Sequence, residues 1–283
     1  MFEFKKIGVI GIGVIGGSIC IDLKKKKVAE KVIGYSRKKE TMEKALKNKI
    51  IDYYYEKPEE LIKDVDFLIL ATPINVMSLY FRLIKNINPK IFFTDVASVK
   101  KIVCDQVNKI IGENSNFIGS HPISGSEKSG IDNVKEGLFE NKIVVITPTE
   151  KTNQIVKEKV KKIWKNLGSN VFEMTPEQHD KIFAFTSHLP HFLVYSLLSV
   201  GQKNKEISKE YFGPGFFDTT RIGKSSPELW SDIFLYNKKN LLFWTKKFER
   251  ELRKVKEYLE NNDKKKLENF LMKSKKYRES LDE

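Results

Sequence analysis

At 283 residues the chain is long enough for one large or two ordinary domains, each with an ample core. Its 40% hydrophobic and 31% charged residues exclude disorder as the main state, and a formal charge of +14 raises nucleic acid as a partner. Only six of its 51 basic residues are arginine, however, and the lysines are interleaved with acids, whereas readers of bases and phosphates lean on the planar guanidinium. The charge therefore reads as a lysine-rich solvated surface that attracts anionic small molecules, with no nucleic acid expected. No apolar run approaches ~18 residues, so no membrane span is expected. The first seven residues enter a strand at once and lack the pattern of a signal peptide. Cys20 and Cys104 fall in helical segments without a CxxC spacing and read as small core residues in a reducing cytoplasm.

Residues 6–11 form a short strand that runs into Gly11-Ile-Gly-Val-Ile-Gly16-Gly17-Ser18, then a helix to about Lys24. G-x-G-x-x-G between a strand and a helix is the dinucleotide fingerprint. Gly11 allows the tight turn, Gly13 lets the backbone near a pyrophosphate, and Gly16 lets helix and strand pack closely. The helix start at Val14 and Ile15 offers N–H groups to the phosphates. The second strand, 31–35, ends at Ser36-Arg37-Lys38-Lys39. An acid there would bond both ribose hydroxyls and select NAD; a hydroxyl followed by three cations suits a 2′-phosphate, so NADP or dual use is expected.

Helix and strand then alternate. A helix over 41–48 precedes a buried strand at 65–71, which ends at Thr72-Pro73; a helix over 76–84 leads to a strand at 91–95. The loop 96–100 carries Ser98 and opens a helix to Ile111. This rhythm predicts an α/β fold with a Rossmann-type parallel sheet covered on both faces, its ligands lying outside the carboxyl ends of the strands. Thr72, Pro73, Asp95 and Ser98 fall at such ends. So does His121, in Gly119-Ser-His-Pro-Ile-Ser-Gly-Ser-Glu-Lys-Ser-Gly130, after an apolar run at 116–118. Pro122 biases His121 towards extended backbone, small residues let a ligand approach, and an imidazole can take a proton near pH 7. Strands at 144–147 and 170–173 flank a helix over 153–167.

Thr175-Pro176-Glu177 reads as a helix start, and the chain is predicted all-helical beyond it. The expected organisation is a dinucleotide-binding domain over 1–174 and an all-α substrate and dimerisation domain over 175–283. The first helix of the second domain carries His179, Asp180, Ser187, His188 and His191 amid apolar residues, with a kink expected at Pro190. Three histidines without a good fourth ligand argue against zinc, so no metal is expected. His188 reads as a core histidine, and His191, where the kink opens the helix, as a ligand contact. In the stretch from Gly213 to Ile233, Arg221 is the only arginine between 82 and 250. It reads either as a bidentate clamp on a carboxylate or phosphate or as an ion-pair partner of Asp218. After Trp230 the sequence is amphipathic helix, with Leu241, Trp244, Phe248, Leu252, Val255 and Leu259 forming a seam suited to subunit pairing.

Taken together, Gly11 to Ser18, Asp95-Val-Ala-Ser98-Val-Lys100, the His121 stretch, His179-Asp180 with Ser187-His-Leu-Pro-His191, and the segment from Asp218 to Trp230 resemble the prephenate dehydrogenase family, which includes arogenate dehydrogenases. The resemblance implies oxidation of a cyclohexadienol, with hydride passing to the nicotinamide and loss of CO2 making the ring aromatic. It implies that His121 accepts the hydrogen bond of the reacting hydroxyl and that Ser98 orients the same group. Arg221 then binds a substrate carboxylate, His191 is a second substrate contact, and Ser126 and Glu127 line the pocket mouth. Trp230 matches a residue reaching the partner subunit's site, which implies a homodimer through the helices. The other enzyme reading is a β-hydroxyacid dehydrogenase, whose helical domain would supply a catalytic lysine where this chain concentrates histidines. A cofactor-sensing protein without turnover is the reading outside enzymes.

Overall fold

The structure, a computed structural model, describes residues 3–124, 130–204 and 206–282. It contains two compact units, 1–237 and 238–283. The first opens with strand β1 (Phe4–Ile10), helix α1 (Val14–Lys25) and strand β2 (Ala29–Tyr35). Helix α2 (Lys39–Lys47), strand β3 (Tyr53–Tyr54) and helix α3 (Pro58–Asp64) come next. They are followed by β4 (Phe67–Leu70), α4 (Ile74–Ile87), β5 (Phe92–Asp95), α5 (Lys101–Ile110) and β6 (Phe117–Pro122). Strand β7 (Ile143–Thr147), helix α6 (Gln154–Asn166) and strand β8 (Asn170–Glu173) complete one sheet of order β3-β2-β1-β4-β5-β6-β7-β8.

Strand residues alternate between two cores. In β4, Phe67 and Ile69 join the cluster that holds Ile19, Leu23 and Trp164 from α1 and α6. Leu68 and Leu70 join the cluster with Leu61, Met77 and Val103 from α3, α4 and α5. Both faces are covered, so the strand carries no polar side and its four residues are all buried. Buried, free Cys20 and Cys104 belong to these cores, as their sequence surroundings indicate.

The expected Rossmann-type parallel sheet is present, with one pairing that runs the other way. The six strands β3 to β6 run parallel, but β7 pairs with β6 antiparallel, Gly119 facing Thr147 and His121 facing Val145. A parallel return would need a crossover helix, and among the described residues the connection from β6 to β7 supplies only a short turn over Ile131–Asn133. His121 also lies within β6 rather than beyond it. Gly119 pairs with Asp95, the last residue of β5, so Ser120, His121 and Pro122 overhang the carboxyl edge of the parallel strands.

Helix α7 (Pro176–Phe183) starts at Thr175 with a complete capping box: Thr175 accepts from the Gln178 N–H, and the Gln178 side chain accepts from the Thr175 N–H. The kink expected at Pro190 is a π-helical turn, Ala184–His188, placed just before it. Pro190 has no N–H to give the carbonyl four residues back, and a wider turn lets upstream carbonyls pair past it. Helix α8 (Leu189–Lys203) follows without a break in the helical run. The helical run Pro176–Lys203 is 28 residues, and one 18-residue window within it has a mean hydropathy of 1.2, long and apolar enough by length and composition to cross a membrane, which the sequence reading did not expect. Its polar residues are largely uncharged, so the run scores as apolar, yet its wholly buried His179 and Asp180 fasten it to the sheet domain.

Helix α9 (Pro214–Thr220) carries Asp218 on its exposed face, and α10 (Pro227–Tyr236) buries Trp230 and Ile233 against the α4 and α5 side. The single helix expected after Trp230 is instead interrupted at Asn237, whose side chain turns back to donate to the Asp180 carbonyl at 2.7 Å. The second unit is a pair of helices, α11 (Lys238–Glu260) and α12 (Lys264–Glu279), the latter capped by Asp263. Phe248, Leu252 and Leu259 of α11 are exposed in the monomer.

Gly16 fixes how closely α1 packs on β1: a Cβ there would stand 2.0 Å from the Gly11 carbonyl oxygen. Gly16→Ala is expected to lower stability by about 1–3 kcal/mol, since fixed backbone must move. Urea unfolding measures it, and an unchanged midpoint refutes the packing account.

Candidate active site

The loop from β1 to α1 forms a cradle. Gly11 has φ of +100°, and a Cβ on it would meet the Ala71 carbonyl oxygen at 2.4 Å. At Gly13 the situation is reversed: a Cβ would meet nothing within 4 Å, because the space before it is open. Gly13 caps α1 without any side-chain hydrogen bond, and the first turn holds no acid. The N–H groups of Val14 and Ile15 therefore have no competing side-chain cap, and the helix end favours negative charge. A cleft of about 290 Å³ joins this loop to Ser36, Arg37, Lys38, Thr72 and Pro73. Lys39, the last cation of the run, is drawn to Glu56 at 3.5 Å. Open space in front of Gly13, an uncapped helix start and two cations at the end of β2 fit a dinucleotide with its pyrophosphate on α1.

Beyond β5 the loop to α5 is held from beneath. Asp95, expected at the cofactor, is wholly buried, and its carboxylate accepts from the Ala97 N–H at 2.8 Å and pairs with the equally buried Lys100. Its side chain thus shapes the 96–100 loop instead of facing a ligand. The Lys100 ammonium also donates to the Ser120 carbonyl at 2.7 Å, tying that loop to β6 one residue before His121. Ser98 sits half-buried on the outer side of the loop.

His121 is half-buried, and its Nδ1 lies 2.8 Å from Nε2 of His179. His179 Nδ1 lies 2.8 Å from Asp180 Oδ1, and Phe183 packs against both rings, with centroids at 5.0 and 4.5 Å. His188 Nδ1 meets the Asn237 side-chain amide at 3.1 Å. His191 bonds the Ser187 carbonyl through Nδ1 at 2.9 Å and stacks on Trp230, ring centroids 3.4 Å apart. Trp230 is the residue on which His191 stacks. Arg221 is exposed in the turn after α9, and its charge is felt at His191. Ser126 and Glu127 lie outside the described residues.

All four histidines of the chain are gathered here, and all are shifted in one direction. Burial, with His179, Lys100 and His188 adding to it, holds His121 well below the ordinary imidazole value. Burial likewise lowers His179 and His191, and brings His188 down to about 4. Each ring is neutral at pH 7, the form that can accept a proton. The sequence flagged His121, His191 and Arg221, but not that His179 stands behind His121. The available signal was a His-Asp pair just past the first turn of a capped helix; its partner on β6 is 58 residues away.

Fold and cleft define a nicotinamide-dinucleotide-dependent dehydrogenase. Residues 19–173 match the prephenate dehydrogenase nucleotide-binding domain, and residues 175–273 match the prephenate dehydrogenase dimerization domain. The Bacillus subtilis prephenate dehydrogenase is 33% identical over 96% of this chain and 74% of its own length. The Aquifex aeolicus prephenate dehydrogenase, solved with hydroxyphenyl propionate and NAD+, superposes with a TM-score of 0.92 at 32% identity, covering 98% of each chain. The Synechocystis arogenate dehydrogenase superposes at 0.83 with 30% identity, covering 98% of this chain and 99% of its own. The chain belongs to the prephenate dehydrogenase family, and it is an oxidoreductase that uses NAD or NADP.

Two measurements test the site. Gly13→Ala should fold with wild-type stability yet lose affinity for the dinucleotide by about tenfold or more, since a methyl occupies space meant for phosphate; calorimetric titration with unchanged affinity contradicts the cradle. Second, histidines whose folded pKa lies below the ordinary 6.5 destabilise the fold as pH falls through that value, because the unfolded chain takes up protons the native state refuses. Each such histidine contributes a slope of at most about 1.4 kcal/mol per pH unit, approached only below 6.5 and above its own folded value. For His188 the loss runs from 6.5 to about 4. Asp95 and Asp180, raised by burial, act in the opposite sense. A loss of stability between pH 6.5 and 5.5 that is the same in His188→Gln as in the wild type contradicts a neutral His188.

Proposed function

We propose that the chain is a prephenate dehydrogenase: it oxidises and decarboxylates prephenate to 4-hydroxyphenylpyruvate, in tyrosine biosynthesis. The observation that carries the reading is a neutral, half-buried imidazole overhanging the sheet edge on which the dinucleotide cleft opens. His121 accepts the proton of the ring hydroxyl, and Ser98 orients that hydroxyl. A positioned base is worth about 10²–10⁴-fold in rate. Bound nicotinamide dinucleotide supplies the hydride acceptor. As the carbon–hydrogen bond breaks, the ring carboxylate leaves as CO2, its bonding electrons completing the aromatic ring, and the proton held by His121 returns to the phenolate oxygen, so no further acid is required. Arg221, with its planar fork, binds a carboxylate of the substrate, and His191, held by Ser187 and Trp230, is a second contact. Asp218, Ser126 and Glu127 are assigned to the pocket surroundings.

The family's dimerization domain supports a homodimer. We assign the pairing to the helical domain over 175–283, where Leu197, Val200 and Leu252 lie exposed in the monomer. No membrane or nucleic-acid partner is part of this reading, and the cytoplasm is the proposed location. Arg37 and Lys38 beside the cleft favour NADP or dual use over strict NAD selection.

His121→Asn is expected to bind dinucleotide normally while kcat falls by about 10²–10⁴-fold; a wild-type kcat removes the imidazole from the reaction. Arg221→Ala should mainly raise KM, and a fall in kcat alone contradicts the clamp. One spectrophotometric matrix of prephenate and arogenate against NAD+ and NADP+ decides the substrate, with prephenate expected to be preferred. In the same assay Arg37→Ala should weaken NADP+ by about tenfold or more and leave NAD+ nearly unchanged. Equal losses for both cofactors, or a wild type blind to NADP+, overturn the cofactor assignment.

A further inference from the structure

Two wholly buried groups stand behind His121 that the chemistry above does not use. Asp180 accepts the Lys100 N–H at Oδ1, 2.8 Å away, and the Lys101 N–H at Oδ2, 3.0 Å away. Backbone amides only donate, so both carboxylate oxygens are fixed as acceptors. Oδ1 also lies 2.8 Å from His179 Nδ1, which must therefore carry a proton. If His179 is neutral, its Nε2 is a bare lone pair, and it is this atom that meets His121 Nδ1 at 2.8 Å. Two lone pairs do not face each other at hydrogen-bond distance, so His121 Nδ1 carries the proton and donates it. The remaining nitrogen, His121 Nε2, is left as the acceptor.

The opposite arrangement needs a charged His179 donating to His121 Nδ1. That would place the His121 proton on Nε2 and leave no base for a substrate hydroxyl. The surroundings decide against it. The groups facing the pair are the Lys100 ammonium from the loop before α5, His188 from the π-helical turn, Asp180 from α7 and the apolar ring of Phe183. Lys100 already brings a buried positive charge, matched by Asp95, and the one carboxylate beside His179 is already engaged by two backbone N–H groups, so burial with Lys100 and His188 keeps His179 neutral.

We propose that His179 and Asp180 are positioning residues: a buried acceptor chain that locks His121 in the Nδ1–H tautomer and keeps Nε2 open as the base. The assignment rests on His121 being the base of the proposed reaction. It extends that role by naming which nitrogen acts and what selects it. When Nε2 takes up the substrate proton, the bond from Nδ1–H to His179 becomes charge-assisted and strengthens, stabilising the imidazolium without exposing it to water.

The test reads the tautomer directly. With only four histidines in the chain, single variants assign every imidazole in a ¹⁵N-histidine-labelled protein. In the wild type without substrate, His121 should give the Nδ1–H pattern. His179→Asn keeps an amide N–H towards Asp180 but offers His121 no lone pair. There His121 should lose that pattern, and kcat should fall by about 10²–10⁴-fold while both KM values stay within about threefold. His179→Gln, whose side-chain oxygen can accept from Nδ1–H, should restore the pattern and most of kcat, and the acidic limb of the kcat profile should move in both variants. A wild-type His121 protonated at Nε2 overturns the proposal, as does His179→Asn with an unchanged tautomer. If His179→Asn does not fold, the wild-type spectrum and His179→Gln decide the matter. An Nδ1–H His121 in a protein that oxidises neither cyclohexadienyl substrate would sink the proposed function and leave the tautomer lock standing.

Discussion

Asp180 lies buried where the start of α5 meets the middle of α7, and three N–H groups converge on its carboxylate. Two belong to the helix that follows the substrate-side loop of the sheet, and one to an imidazole of the helical half. The same contact therefore caps one helix, joins the two halves and sets the ring behind His121. Removing one partner from a buried, hydrogen-bonded charge costs on the order of 3–5 kcal/mol, so this junction resists alternatives. The Asn237 side chain donates to the Asp180 carbonyl as well, bringing the end of α10 into the same knot.

A second buried charge works beside it. Asp95 and Lys100 are sealed from solvent at the end of β5, and Lys100 reaches the carbonyl of Ser120. The pair fixes the 96–100 loop against β6 and places a positive charge near His121 and His179. The result is a site whose histidines resist protonation. The rings stay in the neutral, proton-accepting form at pH 7, and the fold becomes sensitive to acid through the same residues.

Local chemistry made much of this legible in the sequence. Gly11, Gly13 and Gly16 announce themselves because the turn, the phosphate approach and the helix packing each demand a missing Cβ at a fixed spacing. Thr175-Pro176 marks a helix start through a hydroxyl and a pre-set φ. The features that stayed hidden depend on partners far along the chain. Lysine reads as a solvated residue, so the buried Lys100 gave no signal until Asp95 and Ser120 closed around it. His179 is a polar residue on a helix until β6 brings His121 to it. Direction is equally silent: apolar residues at 143–147 specify a buried strand but not that it runs against β6. Short elements such as Tyr53–Tyr54 in β3 leave too few residues for any periodicity to show.

The π-helical turn at Ala184–His188 has a consequence for how this segment tolerates change in length. One residue of helix is about 100° of rotation, so the extra residue in that turn sets the azimuth of everything after it. His179 and Asp180 lie before it, and His191, stacked on Trp230, lies after. Deleting one residue there would regularise the helix locally yet swing His191 away from Trp230 and onto a different side of the bundle. Segment length between the two polar groups is thus a geometric constant of the site, and shortening that looks harmless by composition would uncouple them.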